Sequence, residues 1–163
     1  MRFAPIILFG IMLFLPINAK GKDPDAITSL YFSPKEVKAK VGEEISIQVM
    51  VKGAKDLFGT PFYLLYYPDL LDVVKVIEGD FLRKDRKKTA FVYKIDKTRR
   101  AIIIGLTRLG EAKGLSGDGT LVSIRFKALK AGRVKLSFEK INFKDSRHLP
   151  VQIHPETGMI VAK

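Results

Sequence analysis

Residues 116–128 read Ser116-Gly117-Asp118-Gly119-Thr120-Leu121-Val122-Ser123-Ile124-Arg125-Phe126-Lys127-Ala128. After the glycines, Val122, Ile124, Phe126 and Ala128 alternate with Ser123, Arg125 and Lys127. A period of two puts alternate side chains on opposite faces of an extended strand. One face is made for a core and the other for water, as in an antiparallel sheet.

The alternation recurs in both directions from this stretch. Ile45, Ile47, Val49 and Val51 alternate with Ser46, Gln48, Met50 and Lys52, and Val134, Leu136 and Phe138 alternate with Arg133, Lys135 and Ser137. Turn signals stand between such runs, among them Val41-Gly42-Glu43, Gly53-Ala54, Tyr67-Pro68-Asp69, Glu78-Gly79-Asp80, Asp96-Lys97, Ala131-Gly132 and Glu156-Thr157-Gly158. Short strands with regular punctuation predict an all-β sandwich or barrel. No long window carries a 3.6-residue period, and Pro68-Asp69-Leu70-Leu71 predicts one helical turn at most.

The length of 163 residues, 47% of them hydrophobic and 28% charged, suits one globular domain rather than a disordered chain. Zero Cys excludes a disulfide framework, a thiol nucleophile, a thiolate metal site and a lipid-modified N-terminal Cys. Arg2 followed by the apolar run Phe3–Ile17 and the small residue Ala19 has the order of a secretory signal peptide. That run is short of the roughly 20 residues of a membrane span. Residues 1–19 are therefore expected to be a signal peptide, 20–26 a leader and 27–163 the domain. No stable membrane anchor is expected after cleavage, and the protein is expected to be exported to the periplasm, the cell surface or the medium.

Residues that could support catalysis or metal binding are few. His148 and His154, six apart, would stand about 20 Å from one another along a strand, too far to share a metal. Gly114-Leu115-Ser116-Gly117-Asp118-Gly119 has Asp118 where the G-x-S-x-G nucleophile elbow needs Gly, and it lacks the Gly-Lys of a phosphate loop. It is expected to be a tight loop leading into a strand from Thr120 to Ala128. No enzyme activity, metal or cofactor is expected.

The net charge is +12, from 29 Lys+Arg against 17 Asp+Glu, and Arg2 is the single charged residue of the signal segment. The densest basic runs are Arg83-Lys84-Asp85-Arg86-Lys87-Lys88 and Lys97 to Arg100, with the rest spread over turns and outward strand positions. A nucleic-acid module would interleave such charge with exposed aromatics or a recognition helix, so no nucleic-acid partner is expected.

Several segments, in order, resemble the cohesin domain family. They are Leu30 to Pro34 with Val41-Gly42-Glu43; Val49 to Gly59; Phe62 to Leu71; Glu78 to Leu82; Ile102 to Arg108; and, most characteristic, Ser116 to Ala128. The resemblance implies a single nine-stranded antiparallel β-sandwich of jelly-roll topology, related in shape to carbohydrate-binding modules. It also implies a non-catalytic interaction module that grips a dockerin-like or other exported protein through one sheet face, in polysaccharide-degrading or secretion-associated assembly. Matched to that face, Phe62, Leu64 and Tyr66 point inward and Tyr63, Leu65 and Tyr67 outward. On the next strand Ile102, Ile104 and Leu106 face the core, leaving Ile103, Gly105, Thr107 and the strand-end Arg108 at the contact surface. Gly59-Thr60-Pro61 stands where cellulosomal members tend to have Asp and Asn, and Arg108 near a position often acidic. A reversed charge opposes a partner selected for the original sign, which argues against an ordinary cellulosomal dockerin. A carbohydrate-binding domain recognising a polysaccharide through exposed tyrosines is the alternative reading.

Overall fold

In the computed structural model, which describes residues 27–163, the chain runs β1 (Thr28–Ser33), β2 (Glu36–Ala39), β3 (Glu44–Gly59), β4 (Phe62–Leu65) and β5 (Leu71–Glu78). A single 3-10 turn (Phe81–Arg83) follows, then β6 (Thr89–Asp96), β7 (Ala101–Arg108), β8 (Leu115–Ala128) and β9 (Gly132–Glu139). The short β10 (Lys144–Asp145) and β11 (Ile153–Pro155) precede β12 (Gly158–Ala162). The signal peptide and leader expected at 1–26 lie outside the described residues.

β3 carries its alternation into the core and changes partner along its length. Its first half pairs with β1 on one edge and with β8 on the other, and its last residue, Gly59, pairs with Thr107 of β7. Bulges between Val51 and Ala54 and between Ala54 and Leu57 bend it on the way, since an inserted residue kinks a strand and raises its twist. One curled sheet thereby forms two layers, β5-β8-β3-β1-β11 and β6-β7-β4-β9-β12-β2. Ile47, Val49, Ile124 and Phe126 are buried from the first layer, and Leu64, Ile102, Ile104, Val134 and Leu136 from the second. The layers meet through Phe32 stacked on Phe138, centroids 4.3 Å apart, and Tyr66 against Phe126 at 5.8 Å. Such pairs add about 0.5–1.5 kcal/mol each beyond the area they bury.

The β-sandwich class and the inward phase of Phe62, Leu64, Tyr66, Ile102, Ile104 and Leu106 agree with the sequence reading. Twelve strands are present among the described residues rather than nine, because edge pairings as short as two residues are formed. Two edge pairs, β1 with β11 and β12 with β2, run parallel, so the sheet is not antiparallel throughout. The Gly114–Gly119 segment is also not a loop. β8 begins at Leu115, and Leu115, Gly117 and Gly119 pair with Leu57, Ala54 and Val51 across the bulges of β3. Only Gly117 there takes a left-handed backbone, at φ +111°. Glycine serves at Gly114 and Gly119 by leaving room: a Cβ at Gly114 would lie 2.2 Å from the Asp56 carbonyl oxygen, and one at Gly119 2.8 Å from Phe81.

Candidate protein-binding face

The outer face of β9-β4-β7-β6 is assembled by register. Tyr63 stands opposite Glu139 on β9 and Ile103 on β7, and Ile103 opposite Lys94 on β6. The next row is Ser137, Leu65, Ala101 and Asp96, and on the other side Gly105 pairs with Val92 and Thr107 with Ala90. Because each strand alternates, the rows expose Tyr63, Leu65, Ile103, Gly105 and Val92 on one side, while Phe62, Leu64, Ile102 and Ile104 fill the core on the other. The result is an apolar strip across the middle of the sheet, its Val92 67% exposed.

Shallow grooves follow the strip. One of about 370 Å³ lies over Tyr63, Ile103, Gly105 and Val92, bounded by Pro61, Lys94 and Lys140. A second of about 410 Å³ adjoins it at Tyr63 and Lys140 and runs past Leu65 to Arg99. A third of about 240 Å³ continues from Leu65 to Tyr67, Arg100 and Lys135. Gly105 helps to form the first, since a Cβ there would lie 3.1 Å from a Val92 methyl. A further depression of about 470 Å³ lies on the outside of the opposite layer between Tyr31, Lys52 and Glu156, away from this strip.

Of the residues expected at the contact surface, Tyr63, Leu65, Ile103, Gly105 and Thr107 stand on the outward face, Thr107 at its upper end beside Gly59 and Ala90. Tyr67 lies just past the end of β4, 45% exposed, with the Arg100 guanidinium 5.4 Å from its ring centroid. Arg108 does not reach that surface. It is 2% exposed and points inward, where its Nη2 donates to Asp85 Oδ2 at 2.6 Å and its Nη1 to Asp85 Oδ1 at 3.0 Å and to the Leu82 carbonyl. Arg108 shares the even-numbered phase of Ile104 and Leu106, so the period of two that placed those side chains inside places it inside too. It clamps the 3-10 turn instead of meeting a partner.

Sequence reasoning missed Val92, Lys94, Lys135 and Lys140 as members of the face. A signal for β6 existed: Phe91 and Ile95 pack against the core, so Val92 and Lys94 take the opposite phase. The grouping of Lys135 and Lys140 with them depended on which strands become neighbours.

Among the described residues no three His, Cys, Asp or Glu side chains are placed to hold a metal ion, and no helix is long and apolar enough to cross a membrane. His148 and His154 are both exposed, the first lying edge-on to Phe58 at 5.6 Å. Asp118, in the glycine-rich segment, accepts a hydrogen bond from the Gly53 backbone N–H at 2.7 Å.

The profile of the cohesin domain matches residues 31–157. Among solved structures, a non-cellulosomal cohesin from the hyperthermophilic archaeon Archaeoglobus fulgidus superposes with a TM-score of 0.71 at 22% identity, covering 85% of this chain and 92% of that one. A type I cohesin–dockerin complex from Clostridium thermocellum gives 0.71 at 18%, covering 85% and 95%. A type II cohesin–X-dockerin complex from Acetivibrio cellulolyticus gives 0.68 at 14%, covering 84% and 99%. No curated protein matches in sequence.

Proposed function

The chain belongs to the cohesin domain family, and from that premise we propose that it is an exported, non-catalytic module that binds another protein through the outer face of β9-β4-β7-β6. The observation that carries this is the continuous apolar strip of Tyr63, Leu65, Ile103, Gly105 and Val92, with grooves along it that can receive a partner's side chains. Contiguous apolar surface rimmed by polar groups is where soluble proteins dock one another. The similar complexes from Clostridium thermocellum and Acetivibrio cellulolyticus contain dockerins, which makes a dockerin-type domain the first class of partner to try. A role in assembling polysaccharide-degrading or secretion-associated proteins follows from the same reading. The face fits a protein better than a sugar, because Arg100 already occupies the neighbourhood of the Tyr67 ring and no Trp is present to add a stacking platform.

The test is affinity capture from the native envelope and culture medium, with wild type beside a Tyr63→Ala/Leu65→Ala/Tyr67→Ala variant of unchanged circular dichroism. The expected result is a protein retained by wild type and lost by the variant. Equal recovery on both would move the contact away from this face.

A further inference from the structure

The rim of the apolar strip has one dominant sign. Lys94 flanks it on β6, Lys140 bounds the two larger grooves, and Arg100 and Lys135 close its lower end around Tyr67. Among the described residues no carboxylate lies within 4.0 Å of any of these four cations, whereas Arg99 beside them is neutralised by Asp96 at 3.6 Å. Glu139, opposite Tyr63, is the one acidic side chain set among them without a basic partner at that distance.

Two of the four, Arg100 and Lys140, also hold left-handed backbone, φ +53° and +50°, where Gly or Asn would fit at lower cost. Local strain is tolerated where the surrounding fold enforces it, and here it accompanies charge presented beside the middle of the strip, at Lys140, and at its lower end, at Arg100.

Taking the protein-binding reading of this face as its basis, we propose that the partner is a protein segment with an apolar ridge edged by Asp and Glu, selected by the Lys94, Arg100, Lys135 and Lys140 rim. A protein ridge is favoured over an anionic membrane because Tyr63, Leu65 and Ile103 are half-buried in their rows and lined by grooves rather than projecting for insertion. Rim charges of this kind steer encounter and reject partners of like sign more than they add affinity.

The experiment uses a yeast-displayed dockerin library with randomised surface residues, selected against the full chain. A parallel selection uses the Lys94→Glu/Arg100→Glu/Lys135→Glu/Lys140→Glu variant, whose fold is checked by circular dichroism. Expected are binders enriched in Asp and Glu for wild type and in Lys and Arg for the variant. Wild-type binders should weaken about tenfold from low to high salt. Binders without acidic enrichment overturn the charge inference and leave the docking face standing. An absence of any binder overturns both. Capture of phosphatidylglycerol vesicles by wild type and not by the quadruple variant, together with unbiased binders, assigns the cations to lipid and overturns the proposal.

Discussion

Arg108 and Asp85 form a two-pronged ion pair, guanidinium to carboxylate, in which the Arg108 side chain is fully buried and the Asp85 side chain is 40% exposed. The pair ties the end of β7 to the loop after the 3-10 turn, and the Leu82 carbonyl accepts a further hydrogen bond from the same guanidinium. Bidentate arginine–carboxylate geometry is strong, but the two partners differ in what remains when one is removed.

Asp85→Asn should lower the melting temperature more than Arg108→Met. The first leaves a buried guanidinium without its counter-charge; the second leaves a carboxylate that water can reach and fills the site with apolar atoms of similar length. For Arg108→Met the loss should stay within about 1.5 kcal/mol, since a buried ion pair is often replaceable by an apolar group. Thermal and urea unfolding of both variants check the order, and a larger loss in Arg108→Met would contradict it.

Acid should destabilise the domain through two carboxyls held below the ordinary range. The hydrogen bonds from Arg108 lower Asp85, and the Leu149 backbone N–H, ahead of the Arg147 contacts, lowers Asp145. A depressed native value means that the unfolded chain takes up protons first as pH falls. Stability is therefore complete above the unfolded value of about 3.9 and declines as pH drops through the lower native values. Urea titrations from neutral to strongly acidic pH should show the decline, and Asp145→Asn should flatten it.

Gly105→Leu should separate binding from folding. Its backbone lies outside the left-handed region, and the new side chain would extend over Val92 into the groove of about 370 Å³. The melting temperature should hardly move, while affinity for a partner isolated on wild type should fall roughly tenfold or more, because the centre of an interface carries most of its energy. Calorimetric titration beside thermal denaturation reads both quantities, and unaltered affinity would exclude the groove from the contact.

Asp56 is a stitch between three segments. Its carboxylate accepts from the Gly114 backbone N–H at 3.0 Å and from the Ser146 hydroxyl at 2.6 Å, and its own N–H donates to Ser116 Oγ at 3.0 Å. Asp56→Ala should cost about 1–3 kcal/mol by leaving those donors without a partner. Gly114→Ala should cost at least as much, since its Cβ would meet the Asp56 backbone rather than a movable side chain. Urea unfolding of the two single variants and the double tests their coupling, which should be less than additive.

The sandwich was legible in the alternation of β3, β8 and β9, because a period of two is imposed by strand geometry wherever one face meets a core. That same rule oriented Tyr63, Leu65, Ile103 and Gly105 outward, and applied through to the end of β7 it would have turned Arg108 inward as well. The glycine-rich segment misled for a related reason: Gly114, Gly117 and Gly119 mark turns by composition, but here they let β8 pass close to Asp56 and Phe81 and pair with a bulged strand.

By itself, then, the sequence determined an all-β domain without cysteine, the side of each strand that is buried and an excess of positive charge, all of which are local or compositional properties. Only the tertiary structure decided which strands are neighbours. That brought Lys94 of β6, Lys135 of β9, Arg100 and Lys140 around one apolar strip, and it gave Arg108 to Asp85 rather than to the surface. Strand periodicity sets a side chain's face, whereas its neighbours across the sheet come from long-range pairing that no local pattern encodes.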